Sequence, residues 1–166
     1  MLHKIFVLLL LSTFALIAVA TPTHKPIFPT KKGKTHQTLE FQYLPDDILG
    51  TWLSPDKRGH IKFYKKDNKF FGKLIWSADE KPGKPKLDTE NPVVSMRSQH
   101  VVGMDAFRNL TYNAAEKTYE NGEVYDARSG YTYSCTLWVE SKDVLKVRGF
   151  MGFSLLGKTE TFSRVK

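Results

Sequence analysis

The chain has 166 residues, 41% of them hydrophobic and 13% aromatic, with a formal charge of +8 at neutral pH. That length suits one folded domain rather than two, and the composition allows a sizeable core. The one cysteine, Cys135, excludes an internal disulfide and any cysteine-based metal cluster.

The first segment has the layout of a secretory signal peptide. Lys4 precedes an apolar run over residues 5–17, and Ala18-Val19-Ala20 forms an A-x-A cleavage site. The run falls short of the ~20 apolar residues of a membrane span. The expectation is a signal peptide over residues 1–20, cleaved after Ala20, and a periplasmic or secreted product. Export removes the main reason to read the positive charge as nucleic-acid binding.

Residues 21–45 carry Pro22, Pro26 and Pro29 with Lys25, Lys31, Lys32 and Lys34, against the single acid Glu40. No strand or helix period is sustained there, so a basic flexible linker is expected. It reads either as a solvated spacer or as a tether to an anionic envelope surface.

From residue 46 the pattern becomes one of short strands and turns. The expected strands cover residues 48–53, 60–66, 70–76, 101–112, 118–126, 131–140, 144–150 and 158–165. In the third, Phe70, Gly72, Leu74 and Trp76 alternate with Phe71, Lys73 and Ile75, which places the two sets on opposite faces. Gly72 in mid-strand marks a bend. Gly103 marks a bulge in the fourth strand, and Asn121-Gly122 a break in the fifth. Residues 77–92 form one long loop, rich in proline and lysine, and a helical turn is expected within residues 93–99. About eight antiparallel strands in up-and-down order close most easily into a small barrel over residues 46–166.

Two features at opposite ends support that closure. Gly50-Thr51-Trp52 opens the first strand and Arg164 lies in the last. The pair is similar to lipocalin-like barrels, which share a G-x-W and a late basic residue. The resemblance implies that Arg164 packs across Trp52 and shuts one end, with Gly50, Trp52 and Arg164 as the closure set.

The whole domain also resembles one family, the small exported bacterial proteins filed as domain of unknown function 2147. The matching pieces are Ile48-Leu49-Gly50-Thr51-Trp52, Phe71-Gly72-Lys73-Leu74, and Asp88 with Asn91-Pro92 and Arg97. They continue with Gly122-Glu123-Val124-Tyr125-Asp126, Ser129-Gly130 with Tyr133, and Leu145-Lys146-Val147-Arg148-Gly149. Leu156-Gly157-Lys158-Thr159 and Arg164-Val165 complete the set. The resemblance implies a lipocalin-like barrel outside the cytoplasm and brings no activity with it. The family usually has a short N-terminus, so the basic linker is a departure.

No catalytic residue, cofactor or metal is expected. The domain's histidines, His60 and His100, stand forty residues apart, without ligand spacing. Gly152-Phe153-Ser154 lacks the second glycine of a nucleophile elbow, because Leu156 stands in its place; the stretch reads as a β-turn. Asp88, Glu123 and Asp126 are the carboxylates a hydrolase would use, but spacing alone does not pair them. The expected ligand contacts are Asp88, Asn91, Arg97, Tyr125, Tyr133 and Arg148, around the mouth of the barrel. Asp88, Asn91 and Asp126 read, by preference, as turn-fixing residues. Arg148 reads either as an outward charge beside Lys146 or as an inward anion-binding group.

The function implied is a monomeric exported barrel that binds a small hydrophobic or amphipathic ligand. The alternative is a ligand-free envelope protein contacting anionic polymers or a protein partner, and a hydrolase ranks below both.

Overall fold

The computed structural model describes residues 43–166. The expected signal peptide and all but the end of the expected basic linker lie outside the described residues. Eight strands follow in order: β1 (Gly50–Leu53), β2 (Gly59–Lys66), β3 (Lys69–Ser77), β4 (Asp105–Asn113), β5 (Thr118–Asp126), β6 (Tyr131–Ser141), β7 (Val144–Phe150) and β8 (Lys158–Arg164). Each pairs antiparallel with the next, and β1 pairs with β8, so the sheet closes into a barrel.

Period-two patterning forms these strands, and local turn chemistry connects them. In β6, Cys135, Leu137 and Val139 are buried between more exposed neighbours; in β7, Leu145 and Val147 do the same. Asp67 and Asn68, with φ of 50° and 58°, make a two-residue hairpin turn between β2 and β3, as their residue types favour.

The core lies inside the barrel. Trp52, Phe63, Phe70, Phe107, Leu110, Tyr119, Leu137, Leu145 and Phe162 fill it. Phe70 meets Tyr119 edge-on at 5.1 Å, and Phe63 tilts against Phe107 at the same distance.

Register irregularities recur around the sheet, and three bulges among them alter the facing of side chains. Asn109, at φ 62°, lets Phe107 and Leu110 both enter the core although they are three residues apart. Asn121, at φ 59°, does the same for Tyr119 and Gly122, and the β5–β6 register shifts there. The expected break at Asn121-Gly122 is therefore a bulge inside a continuous strand. Gly122 is required because Leu110 lies over it: an added Cβ would stand 2.6 Å from the leucine side chain.

The third bulge corrects the facing of β3. Ile61 pairs with Leu74 while His60 pairs with Trp76, so Ile75 is the extra residue. Trp76 does not share the inner face with Phe70 and Gly72. It is exposed and lies against His60 at 4.7 Å, while Ser77 is buried. The expected bend at Gly72 is present, since the β3–β4 register shifts on both sides of it.

The fourth strand begins at Asp105, not at residue 101. Residues 101–104 belong to the long loop: Gly103, at φ 100°, donates its amide to Leu74, and Leu74 donates to Met104. The expected helical turn is a short 3-10 turn at Val94–Met96.

Candidate functional site

Because the strands run up and down, alternate connections share an end. The β2–β3, β4–β5 and β6–β7 turns lie at one end with the chain entering β1. The β1–β2, β3–β4, β5–β6 and β7–β8 connections lie at the other.

The first end is shut. Trp52 is fully buried and donates its indole N–H to the Ile48 carbonyl at 2.8 Å. The Arg164 guanidinium sits 4.0 Å from the indole centre. It donates to the carbonyls of Asp47 (2.6 Å), Leu49 (2.8 Å) and Lys142 (2.5 Å). Gly50 has φ 114°, and a Cβ there would lie 2.9 Å from an Arg164 nitrogen. Gly50, Trp52 and Arg164 thus come together as one closure. Contacts reach back to Tyr43, whose hydroxyl donates to the Glu140 carbonyl at 2.7 Å.

The opposite end is open and holds a cavity of about 240 Å³. Its floor is apolar: Ile61, Leu74, Ala106, Phe107, Val124 and Phe162. Its rim is charged. Arg128 of the β5–β6 turn pairs with Asp56 of the β1–β2 turn at 2.7 Å and with Asp126 at 3.1 Å. Arg58 pairs with Asp79 of the long loop. Burial tends to raise the Asp56 carboxyl, but the Ser54 hydroxyl, the Arg58 amide and Arg128 outweigh it and hold the carboxyl below its ordinary value. The hydrogen bond and charge of Asp126, with Asp56 behind it, push Arg128 up despite its partial burial. Asp56 and Arg128, held in their ionised forms, therefore bridge the mouth. Lys86 also lines the cavity and has no carboxylate partner among the described residues.

The six expected ligand contacts divide. Asp88 is 1% exposed and accepts from the Tyr125 hydroxyl at 2.8 Å and from the Asn91 side-chain amide at 2.6 Å. Asn91 in turn accepts from the Val93 amide at its side chain and from Arg97 at its carbonyl, 2.8 Å away. These four residues come together, but as a clasp that folds the long loop. The clasp docks on the β5–β6 turn, where a Cβ on Gly130 would meet the Glu90 carbonyl at 2.0 Å. Burial first, and then the bond to Asp88, push the Tyr125 hydroxyl up to about 12, so it remains a donor.

Of the six, only Tyr125 lines the cavity. Tyr133 is half-buried beside Tyr131, outside the cavity walls. Arg148 takes the outward of its two readings. Val147 and Leu145 face the core, so Arg148 and Lys146 face outward. Arg148 donates to the carbonyls of Ser154 (2.9 Å) and Leu155 (3.1 Å) and to the Thr159 hydroxyl (3.0 Å). It braces the β7–β8 turn rather than the cavity.

The carboxylates considered for hydrolysis each have their own partner: Asp88 the Tyr125 hydroxyl, Glu123 the Arg108 guanidinium at 3.0 Å, and Asp126 Arg128. Cys135 is buried, and that burial pushes its thiol up to about 12. Asp56, Arg58, Asp79 and Arg128 were missed in the sequence because turn-borne charges look like ordinary solvated residues.

No curated protein matches the chain. Among solved structures the fold is similar to that of HP1028 from Helicobacter pylori, described as belonging to the lipocalin family. The TM-score is 0.61 at 20% identity, covering 72% of this chain and 83% of that one. At that identity the likeness concerns the barrel alone. The model of the family described as "uncharacterized protein conserved in bacteria", domain of unknown function 2147, matches residues 50–164. That span runs from the glycine beneath Arg164 to Arg164 itself, and the chain belongs to this family.

Proposed function

We propose that the protein is an exported binding barrel that takes a small molecule with an apolar body and an anionic head into its open end. The observation that carries this reading is the apolar cavity beneath a charged rim. Burying a hydrocarbon body on Ile61, Leu74 and Phe162 supplies the driving force, at roughly 25 cal/mol per Å². Lys86, without a carboxylate of its own, supplies a site for the head, and Arg128 can exchange Asp56 for a ligand oxygen. The volume of about 240 Å³ lies below the ~300–1,000 Å³ of drug-sized sites. It suits a short chain or a single ring. Export rests on the signal-peptide pattern of residues 1–20 and agrees with membership of a bacterial family.

The test is calorimetric titration with octanoate and octylamine. Octanoate should bind more tightly; Leu74→Trp, which fills the cavity, should abolish binding without unfolding the barrel. Lys86→Gln should remove the preference for the anion. Absence of binding by either probe, or octanoate binding unchanged in Leu74→Trp, would refute the proposal.

A further inference from the structure

The β7–β8 turn departs from the usual chemistry of turns. Between Arg148 and Lys158 the sequence carries no charge. Met151, Phe153, Leu155 and Leu156 all stand in solvent, the last three at 80%, 89% and 84% exposure. Single exposed apolar residues are common, but four within six positions mark an interaction site.

The turn is also built, not merely left uncovered. Arg148 holds the carbonyls of Ser154 and Leu155 from below, and the Phe153 carbonyl accepts from the Leu156 amide at 3.2 Å. Gly157 passes so close to β7 that an added Cβ would lie 2.7 Å from the Gly149 carbonyl. These contacts point the apolar side chains away from the barrel.

The same end carries Val93, Val94 and Met96 of the long loop and Tyr131 at the start of β6, all exposed. It also carries Lys57, Lys81, Lys84 and Lys86, none with a carboxylate partner among the described residues. Of the acids there, Asp56, Asp79 and Asp126 are paired with arginines, Asp105 is paired with Lys73 and Asp88 is buried; Glu80 and Glu90 carry no such pair among the described residues.

We propose that the open end of the barrel docks on an anionic bilayer, with the tip of the β7–β8 turn inserted among the acyl chains. Protruding apolar tips beside unpaired lysines match a negatively charged, deformable surface. The cavity is not lined by these apolar side chains. Docking in this orientation sets the cavity mouth against the lipid. It does not depend on the ligand proposed above.

The full chain should be mixed with vesicles of phosphatidylcholine, with and without phosphatidylglycerol. Ser154→Cys reports the tip and Ala115→Cys the opposite end, each with an environment-sensitive dye; native Cys135 is buried. On anionic vesicles the dye at 154 should shift to the blue and be quenched by brominated acyl chains, while the dye at 115 stays unchanged. Combining Phe153→Ser with Leu155→Ser should weaken the tip-dependent association roughly hundredfold. Added salt should weaken it further. Three results would each overturn the proposal: no shift at 154 on anionic vesicles, equal binding by the double variant, or a double variant whose only change is to dissociate a dimer.

Discussion

Arg164→Ala tests the closure that holds first and last strands together. The substitution removes a cation stacked 4.0 Å from the Trp52 ring, worth ~0.5–2 kcal/mol. It also removes three donors from the carbonyls of Asp47, Leu49 and Lys142. A bond from a charged donor contributes about 1.5–3 kcal/mol when shielded, and less where water can replace it. The Asp47 and Leu49 bonds are partly buried and the Lys142 bond is exposed, so the first two dominate. The total loss is about 3–4 kcal/mol. For a domain of this size that lowers the melting midpoint by about 10–15 °C. Circular dichroism on heating and in urea measures both quantities. Arg164→Lys keeps the charge but cannot span three carbonyls, and should fall between wild type and alanine. An alanine variant melting within about 2 °C of wild type would show that Arg164 is an ornament on a seam held by other contacts.

Gly50→Ala should be destabilising by more than the ~1–2 kcal/mol that positive-φ backbone costs a residue with a Cβ, because it meets both a φ of 114° and the Arg164 nitrogen at 2.9 Å. Urea midpoints would show it, and a neutral outcome would mean that the arginine moves aside freely. Asp88→Ala leaves the Tyr125 hydroxyl buried without its acceptor, at a cost of about 1–3 kcal/mol. It should also expose residues 78–104 to limited proteolysis, and unchanged cleavage would count against the clasp. Tyr125, Tyr119 and Cys135 all hold their protons more tightly when folded. Their stabilisation is complete below the unfolded values, near 10 for the tyrosines and near 9 for Cys135, and is lost as pH rises through about 12 for Tyr125 and Cys135. Stability should therefore fall on the alkaline side, and less steeply in Tyr125→Phe; an identical slope would refute that assignment.

The strand count and the order of the turns were legible in the amino-acid sequence, because each depends on short-range signals; the shut end was legible only through the resemblance of Gly50-Thr51-Trp52 and Arg164 to lipocalin-like barrels. Alternation in residues 135–139 and the Asp67-Asn68 turn are local matters, as is the G-x-W that marks the first strand. What only the tertiary structure decided lies where the signal is not local. One inserted residue at Ile75 reverses the facing of everything beyond it, and so Trp76 points to solvent. Asp88 finds Tyr125 thirty-seven positions away, which turns an apparent ligand contact into a loop clasp. The cavity rim joins Asp56 to Arg128 across seventy-two positions, and no spacing rule brings two such turns together. Period and turn chemistry act over a few residues, whereas a barrel mouth is made by the closure of the whole sheet.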